Sequence, residues 1–285
     1  MVTFEQRQYG TYIVRSPRAV LEVVPERGGI VTRWQVDGQE LFYLDEERFR
    51  DPSLSVRGGN PILFPICGNL PENSYTVGGQ AYTLKQHGFA RELSWAGSSS
   101  SNGITVTLQS SDRTRPHYPF EFLVSLTYGL TDTPSGSALT VQQTFTNHSE
   151  VPMPFAVGFH PYFAIADKNS LHYTIPASQC WNNVLKAVEP YNGTLDLSQP
   201  ELDLAFTPLS EPRLQFQYDG KTLDIATDAA FRTFVFWTVQ GKDFVCLEPW
   251  TAPRNALNTG EDLLHLAPGQ SQSLEVTFTA SCPST

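Results

Sequence analysis

Three short segments concentrate side chains able to move protons. Gln86-His87-Gly88-Phe89-Ala90-Arg91 sets a histidine between a hairpin and a glycine, where its ring can reach a cleft. Val157-Gly158-Phe159-His160-Pro161-Tyr162-Phe163 wraps an imidazole in aromatic residues and fixes it with a following proline. Burial would depress the pKa of that ring, and a neighbouring carboxylate would raise it. Val245-Cys246-Leu247-Glu248-Pro249-Trp250 ends an apolar strand with a carboxylate, and Pro249 is expected to end the ladder there. A buried, unpaired carboxylate is costly, so Glu248 is expected to be solvated or functional. Trp250 offers a flat apolar face of the kind that suits a sugar ring. Two histidines, one carboxylate and nearby aromatics form an acid–base set with no evident nucleophile or metal shell. That set suits proton transfer on a polyol or hemiacetal. Each segment also has a plainer reading alone: a capping or surface histidine at 87, a satisfied core histidine at 160.

A fourth segment runs Arg57-Gly58-Gly59-Asn60-Pro61-Ile62-Leu63-Phe64-Pro65-Ile66-Cys67-Gly68-Asn69-Leu70. Its paired glycines and Pro-bounded apolar run predict a strand reached through a tight loop with close backbone approach. His117, in Arg115-Pro116-His117-Tyr118-Pro119, reads as a loop residue at most edging a cleft. His148, His172 and His265 read as turn or surface residues, Trp237 as core, and Trp181 is left ambiguous. GxGxxG, Walker, GxSxG and HExxH motifs are missing from the sequence, so dinucleotide, nucleotide, serine-hydrolase and zincin readings lose their usual support.

The elements that must hold these residues are strands. Val20–Val24, Ile30–Val36, Ile104–Leu108, Glu121–Tyr128, Ala138–Thr146, Leu223–Thr227, Phe231–Val239 and Ser273–Thr279 are alternating or β-branched and aromatic runs bounded by turn residues. Phe231–Val239 is nearly all apolar and is expected at a sheet centre. Tyr75–Leu84 reads as a hairpin around Gly78-Gly79, and Ser98–Ser101 as a four-serine turn. Helical periodicity is scarce, with one short turn expected near Asp45–Arg50 before Asp51-Pro52. The expectation is an all-β chain, a large antiparallel β-sandwich with few short helices, as a single domain over residues 1–285. Gly and Pro number 20 and 21 of 285 residues, and charged residues are only 17% against about 25% in typical domains. That composition disfavours coiled coil, and 40% hydrophobic residues disfavour disorder. A net charge of −10 disfavours nucleic acid and anionic membrane as partners but leaves room for a local cationic pocket. Cys67, Cys180, Cys246 and Cys282 are dispersed without a CxxC pair, which suits free thiols in a reducing compartment. The polar start, Met1–Arg7, lacks a signal-peptide pattern, and no apolar run approaches a membrane span, so the expected location is the cytoplasm.

At these residues the sequence resembles the aldose 1-epimerase (galactose mutarotase-like) family. The likeness runs in order through Asn60–Gly68, Tyr75–Leu84, His87–Arg91, Tyr118-Pro119-Phe120, Gly158–Phe163, Asp203 and Cys246–Trp250. It implies a β "supersandwich" and interconversion of the α and β anomers of a free aldose, without metal or cofactor. By the same resemblance Glu248 is the general base at the C1 hydroxyl and His160 the general acid at the ring oxygen. His87 and Asp203 would bind the sugar, with Asn69 and Trp250 beside them. Two features divide the substrate reading. Asn69 stands where sugar mutarotases often carry an arginine, whereas Arg57-Gly58-Gly59 and Gln86–Arg91 resemble a hexose-6-phosphate 1-epimerase branch in which arginines clamp a phosphate. Against that branch, Leu204 stands where it places an arginine after the aspartate. The expected partner is therefore a small-molecule sugar or sugar phosphate, with Arg57 and Arg91 as the anion clamp in the second case. A carbohydrate-binding module without catalysis is the alternative from another class.

Overall fold

The computed structural model describes residues 1–100 and 103–283. Strand accounts for 51% of the chain and helix for 7%, so the protein is all-β. Period-two burial builds the longest hairpin: Phe122–Thr133 and Gly136–Asn147 pair from Phe122 opposite Asn147 to Thr133 opposite Gly136. These two strands lie within an antiparallel sheet of eight. Its order is His172–Thr174, Arg213–Tyr218, Lys221–Thr227, Ser271–Ser281, Gly136–Asn147, Phe122–Thr133, Gly103–Gln109 and Ala96–Ser100. A five-stranded meander over Val2–Glu40 precedes it. The third large sheet runs Ala187–Pro190, Gln179–Asn182, Glu201–Phe206, Thr233–Val239, Phe244–Trp250, Gly158–Phe159 and Ile62–Leu63, with Tyr162–Ala164 also paired to Phe244–Trp250. A main core extending from Val14 to Ala280 lies among these sheets and buries Trp34, Phe64, Tyr118, Tyr128 and Phe145 completely. Each such ring contributes roughly 1.5–3 kcal/mol of burial.

The expected runs all coincide with strands, Phe231–Val239 near the centre of the third sheet as Thr233–Val239. The hairpin forms as Ser74–Val77 and Gln80–Thr83, with Gly78 and Gly79 both at positive φ, as a type I′ turn requires. The short helix is Glu46–Arg50, capped by the Asp45 side chain. Two local expectations are corrected. Ser98–Ser100 belong to an edge strand paired with Gly103–Thr105 rather than to a turn, and Ser101 lies outside the described residues. Pro249 does not end its ladder: Thr233 still pairs with Trp250 beyond it. No helix among the described residues is long and apolar enough to cross a membrane.

The strand Phe244–Trp250 is buried along its whole length, on both faces. Val245 and Leu247 enter the main core, while Phe244, Cys246 and Trp250 join two smaller apolar clusters. Glu248 alternates with Cys246 and Trp250, so it points away from the main core. Cross-strand partners on this second face form rows: Tyr162, Cys246, Trp237 and Asp203 in one, Glu248, Val235 and Ala205 in the next. Strand spacing of about 4.8 Å sets the pitch between neighbours in a row.

Candidate active site

One cavity of about 410 Å³ opens on that face, walled by Glu248, His160, His87, Asp203 and the indoles of Trp237 and Trp250. Every catalytic or binding residue expected from sequence lines it except Asn69. Asn69 is exposed outside it, its carbonyl accepting the Asn255 backbone N–H at 3.1 Å. His117 lines a different cavity and lies 3.0 Å, through Nδ1, from the Thr83 carbonyl.

Glu248 and His160 meet at the floor. His160 Nε2 lies 3.4 Å from Glu248 Oε1, and the two residues are 8% and 1% exposed, so neither charge would be shared with bulk water. The other carboxylate oxygen, Oε2, accepts the Trp250 indole N–H at 3.1 Å. The His160 backbone N–H donates to Pro61 at 3.0 Å, tying the imidazole to the loop after the paired glycines. Those glycines are needed there: a Cβ on Gly58 would fall 2.5 Å from Leu44 Cα, and one on Gly59 2.3 Å from the Val31 carbonyl. The His160 ring stacks on Tyr162 at 4.8 Å and meets His87 and Trp237 edge-on.

His87 is held by a reciprocal pair. Its backbone N–H donates to the Gly68 carbonyl at 2.6 Å, and Gly68 N–H donates to Nδ1 at 3.1 Å. With Nδ1 accepting, the proton of the neutral ring sits on Nε2. Burial, then Arg91, His160 and Arg254, holds this imidazole well below its ordinary pKa, so it is a neutral donor. His160 is pushed down to about 3 by burial first and then by Arg91 and Arg254. Burial pushes the Glu248 carboxyl well above its ordinary range, opposed by Arg254, Trp250 and Arg91. Burial therefore favours a neutral carboxyl facing a neutral imidazole, and proximity does not by itself hold the pair ionised. The same proton count is available as carboxylate and imidazolium once a polyol hydrogen-bonds both groups.

Asp203 is fixed from two sides. Arg254 Nη2 donates to its two oxygens at 2.8 and 2.9 Å, and Asn183 Nδ2 donates to Oδ2 at 2.7 Å. The Arg254 guanidinium also lies over the Trp250 ring at 5.1 Å. Trp250 is thus fully buried, with a cation and His87 against its ring, and the partly open indole of the cleft is Trp237. This corrects the core reading of Trp237, whose Nε1 donates to Glu201 at 2.8 Å. Arg254 is the main residue missed from sequence: it stands 51 positions from Asp203, in a turn with no motif around it. Arg48 completes the wall beside Arg57 and Arg91. His160, Cys246 and Glu248 each bring a donor atom to within 4.8 Å of the others, close enough to share a metal ion.

Comparison with known proteins places this geometry. The family model described as "Aldose 1-epimerase" matches residues 11–279. The crystal structure of the Slr1438 protein from Synechocystis sp. PCC 6803 is 42% identical, covers 99% of both chains and superposes with a TM-score of 0.93. The galactose mutarotase related enzyme from Lactobacillus acidophilus, 20% identical over 95% of this chain and 97% of that one, shares the fold with a TM-score of 0.77. A Cenchrus ciliaris protein carrying the provisional name glucose-6-phosphate 1-epimerase is 24% identical over 83% of this chain and 77% of its own length. With a match over nearly its whole length, the chain belongs to the aldose 1-epimerase family.

Proposed function

We propose that the chain catalyses exchange between the α and β anomers of an aldohexose. The observation that carries this reading is the buried 3.4 Å approach of His160 Nε2 to Glu248 Oε1 on the wall of a cavity of sugar size. Glu248 removes the proton of the C1 hydroxyl while His160 gives a proton to the ring oxygen. The C1–O5 bond breaks, leaving an open-chain aldehyde. Rotation about C1–C2 and closure with the roles reversed yields the other anomer and restores both side chains. Neutral His87 donates from Nε2 to a sugar oxygen, and Asp203 accepts from a hydroxyl. Polarimetry or NMR exchange with glucose, galactose and glucose 6-phosphate tests the reading. Acceleration over the uncatalysed rate, abolished by Glu248→Gln and by His160→Ala, is the expected result; no acceleration with any of the three sinks it.

One observation favours an anionic sugar as substrate. Arg48, Arg57 and Arg91 line the cavity and form no ion pair with a carboxylate among the described residues. In a chain of net charge −10, three guanidiniums without a carboxylate partner lining one cavity support a clamp for an oxyanion carried by the sugar. A preference for glucose 6-phosphate over glucose, lost in Arg57→Ala or Arg91→Ala, distinguishes this substrate from a neutral one.

A further inference from the structure

Three ligand types meet at the floor of the cleft: an imidazole nitrogen of His160, the Cys246 sulfur and a carboxylate oxygen of Glu248, all on buried residues and all within 4.8 Å of one another. The strand register accounts for the meeting. Cys246 and Glu248 stand two residues apart on one face of Phe244–Trp250, and Tyr162, two residues beyond His160, pairs with Cys246 across the ladder. Two ligands about 2.0–2.1 Å from a tetrahedral zinc ion stand roughly 3.4 Å from each other. His160 Nε2 and Glu248 Oε1 already have that separation, 3.4 Å. A thiolate about 2.3 Å from the ion sits roughly 3.6 Å from such ligands, so the Cys246 sulfur has at most roughly 1.2 Å to close. The carboxylate is aimed in advance, because its other oxygen accepts the Trp250 indole N–H at 3.1 Å.

We propose that His160, Cys246 and Glu248 form a reversible, inhibitory site for a thiophilic divalent cation such as Zn²⁺. Nitrogen, sulfur and carboxylate together suit zinc, whereas Mg²⁺ and Ca²⁺ take oxygen ligands. His160 and Glu248 line the cavity, so the ion enters from the cleft and keeps a fourth position there for water. Arg91 and Arg254 line the same cavity, and charge balance answers their repulsion. A divalent ion with one thiolate, one carboxylate and a neutral imidazole is a neutral cluster, which adds no net charge beside the guanidiniums. Coordination joins Nε2, Oε1 and Sγ to the ion, while the thiol proton, and the carboxyl proton where Glu248 holds one, pass to water. Ion binding stands apart from the epimerase reading. Only its effect on anomer exchange rests on that reading, because the ion engages the two groups proposed there as acid and base.

The test titrates the metal-free protein with Co²⁺, whose thiolate-to-metal charge-transfer absorption reports a sulfur ligand, and follows anomer exchange under Zn²⁺ and Mg²⁺. The wild type is expected to develop the band at one ion per chain and to lose it when Zn²⁺ displaces the cobalt. Cys246→Ala and His160→Ala should each abolish the band. Melting temperatures establish that each variant folds, and either variant alone suffices if the other does not. Zn²⁺ should inhibit exchange by the wild type, EDTA should restore it, and Mg²⁺ at the same concentration should leave it unchanged. Relative to its own metal-free rate, Cys246→Ala should need roughly tenfold or more Zn²⁺ for the same inhibition. A wild type without the band, a band that survives in either folded variant, or equal zinc sensitivity in Cys246→Ala overturns the proposal. A Cys246-dependent band in a protein that accelerates exchange of no sugar upholds the metal site and overturns the epimerase reading instead.

Discussion

His160 Nε2 stands 3.4 Å from Glu248 Oε1 with both side chains out of solvent. Replacing Glu248 by Gln keeps the shape and the Trp250 contact but removes the base. Anomer exchange is expected to fall by roughly 10²–10⁴ in kcat, with sugar binding largely retained. Stability moves the other way. The folded carboxyl has a raised pKa, so the wild type gains stability as pH falls and loses it as pH rises through the folded value. Glu248→Gln is therefore expected to melt higher than the wild type at pH 7, and the difference should close toward pH 4.5, the ordinary value. Equal melting temperatures at pH 7 would contradict a desolvated carboxyl.

The imidazole follows the opposite sign. His160 titrates near 3 in the folded cleft against an ordinary 6.5, so the folded ring binds fewer protons than the unfolded one between those values. Its contribution is present above about pH 6.5 and is lost as pH falls toward 3. Arg91 is the largest charged cause after burial. Arg91→Gln should raise the His160 pKa and narrow that window. NMR titration of the His160 ring in a Glu248→Gln background, where the carboxyl cannot titrate, reads this directly. An unmoved midpoint would leave burial and Arg254 as the causes of the shift.

Strand periodicity made the fold legible, because one face of each long strand packs against a core that tolerates only apolar residues. The pair His160 and Glu248 was legible for a related reason: a titratable group inside an apolar run must be compensated or used. Arg254 and Trp237 were not. Trp237 sits in an apolar strand whose alternation identifies two faces without saying which of them opens on the cleft. Arg254 reaches Asp203 through tertiary placement alone, and no local spacing encodes a contact across 51 residues. Trp250 shows the converse limit, since its aromatic face was legible but the cation covering it was not.

Arg254 joins Asp203 to Glu248, the carboxylates proposed above as sugar ligand and base. It grips both oxygens of Asp203, lies over the Trp250 ring, and Trp250 in turn donates to Glu248. Arg254→Gln is expected to raise KM roughly tenfold through a loosened Asp203. It should also push the Glu248 carboxyl further up, because Arg254 is the largest influence opposing that rise. The acid limb of kcat/KM should then shift to higher pH, and Arg254→Lys should restore the limb better than the KM, since it returns the charge without the planar stacking. A KM change with an unmoved acid limb would confine Arg254 to binding.

Gly68 tests the same assembly from its other side. Its φ is +70°, and a Cβ there would lie 2.2 Å from Arg254 Cγ, far inside contact distance. Gly79, at φ +80° in the exposed hairpin, has nothing within 4 Å of a Cβ. Alanine at either position meets the left-handed backbone penalty of about 1 kcal/mol. Only Gly68→Ala must also displace the arginine stem. Gly79→Ala is therefore expected to lower the melting temperature slightly and leave kcat/KM unchanged. Gly68→Ala should lower it more and reproduce the raised KM of Arg254→Gln, because the guanidinium can no longer reach Asp203 from a shifted stem. Combining Gly68→Ala with Arg254→Gln separates the causes. If the glycine acts through Arg254, the double variant binds sugar no worse than Arg254→Gln alone; additive losses would instead trace the effect to His87, whose Nδ1 accepts the Gly68 N–H.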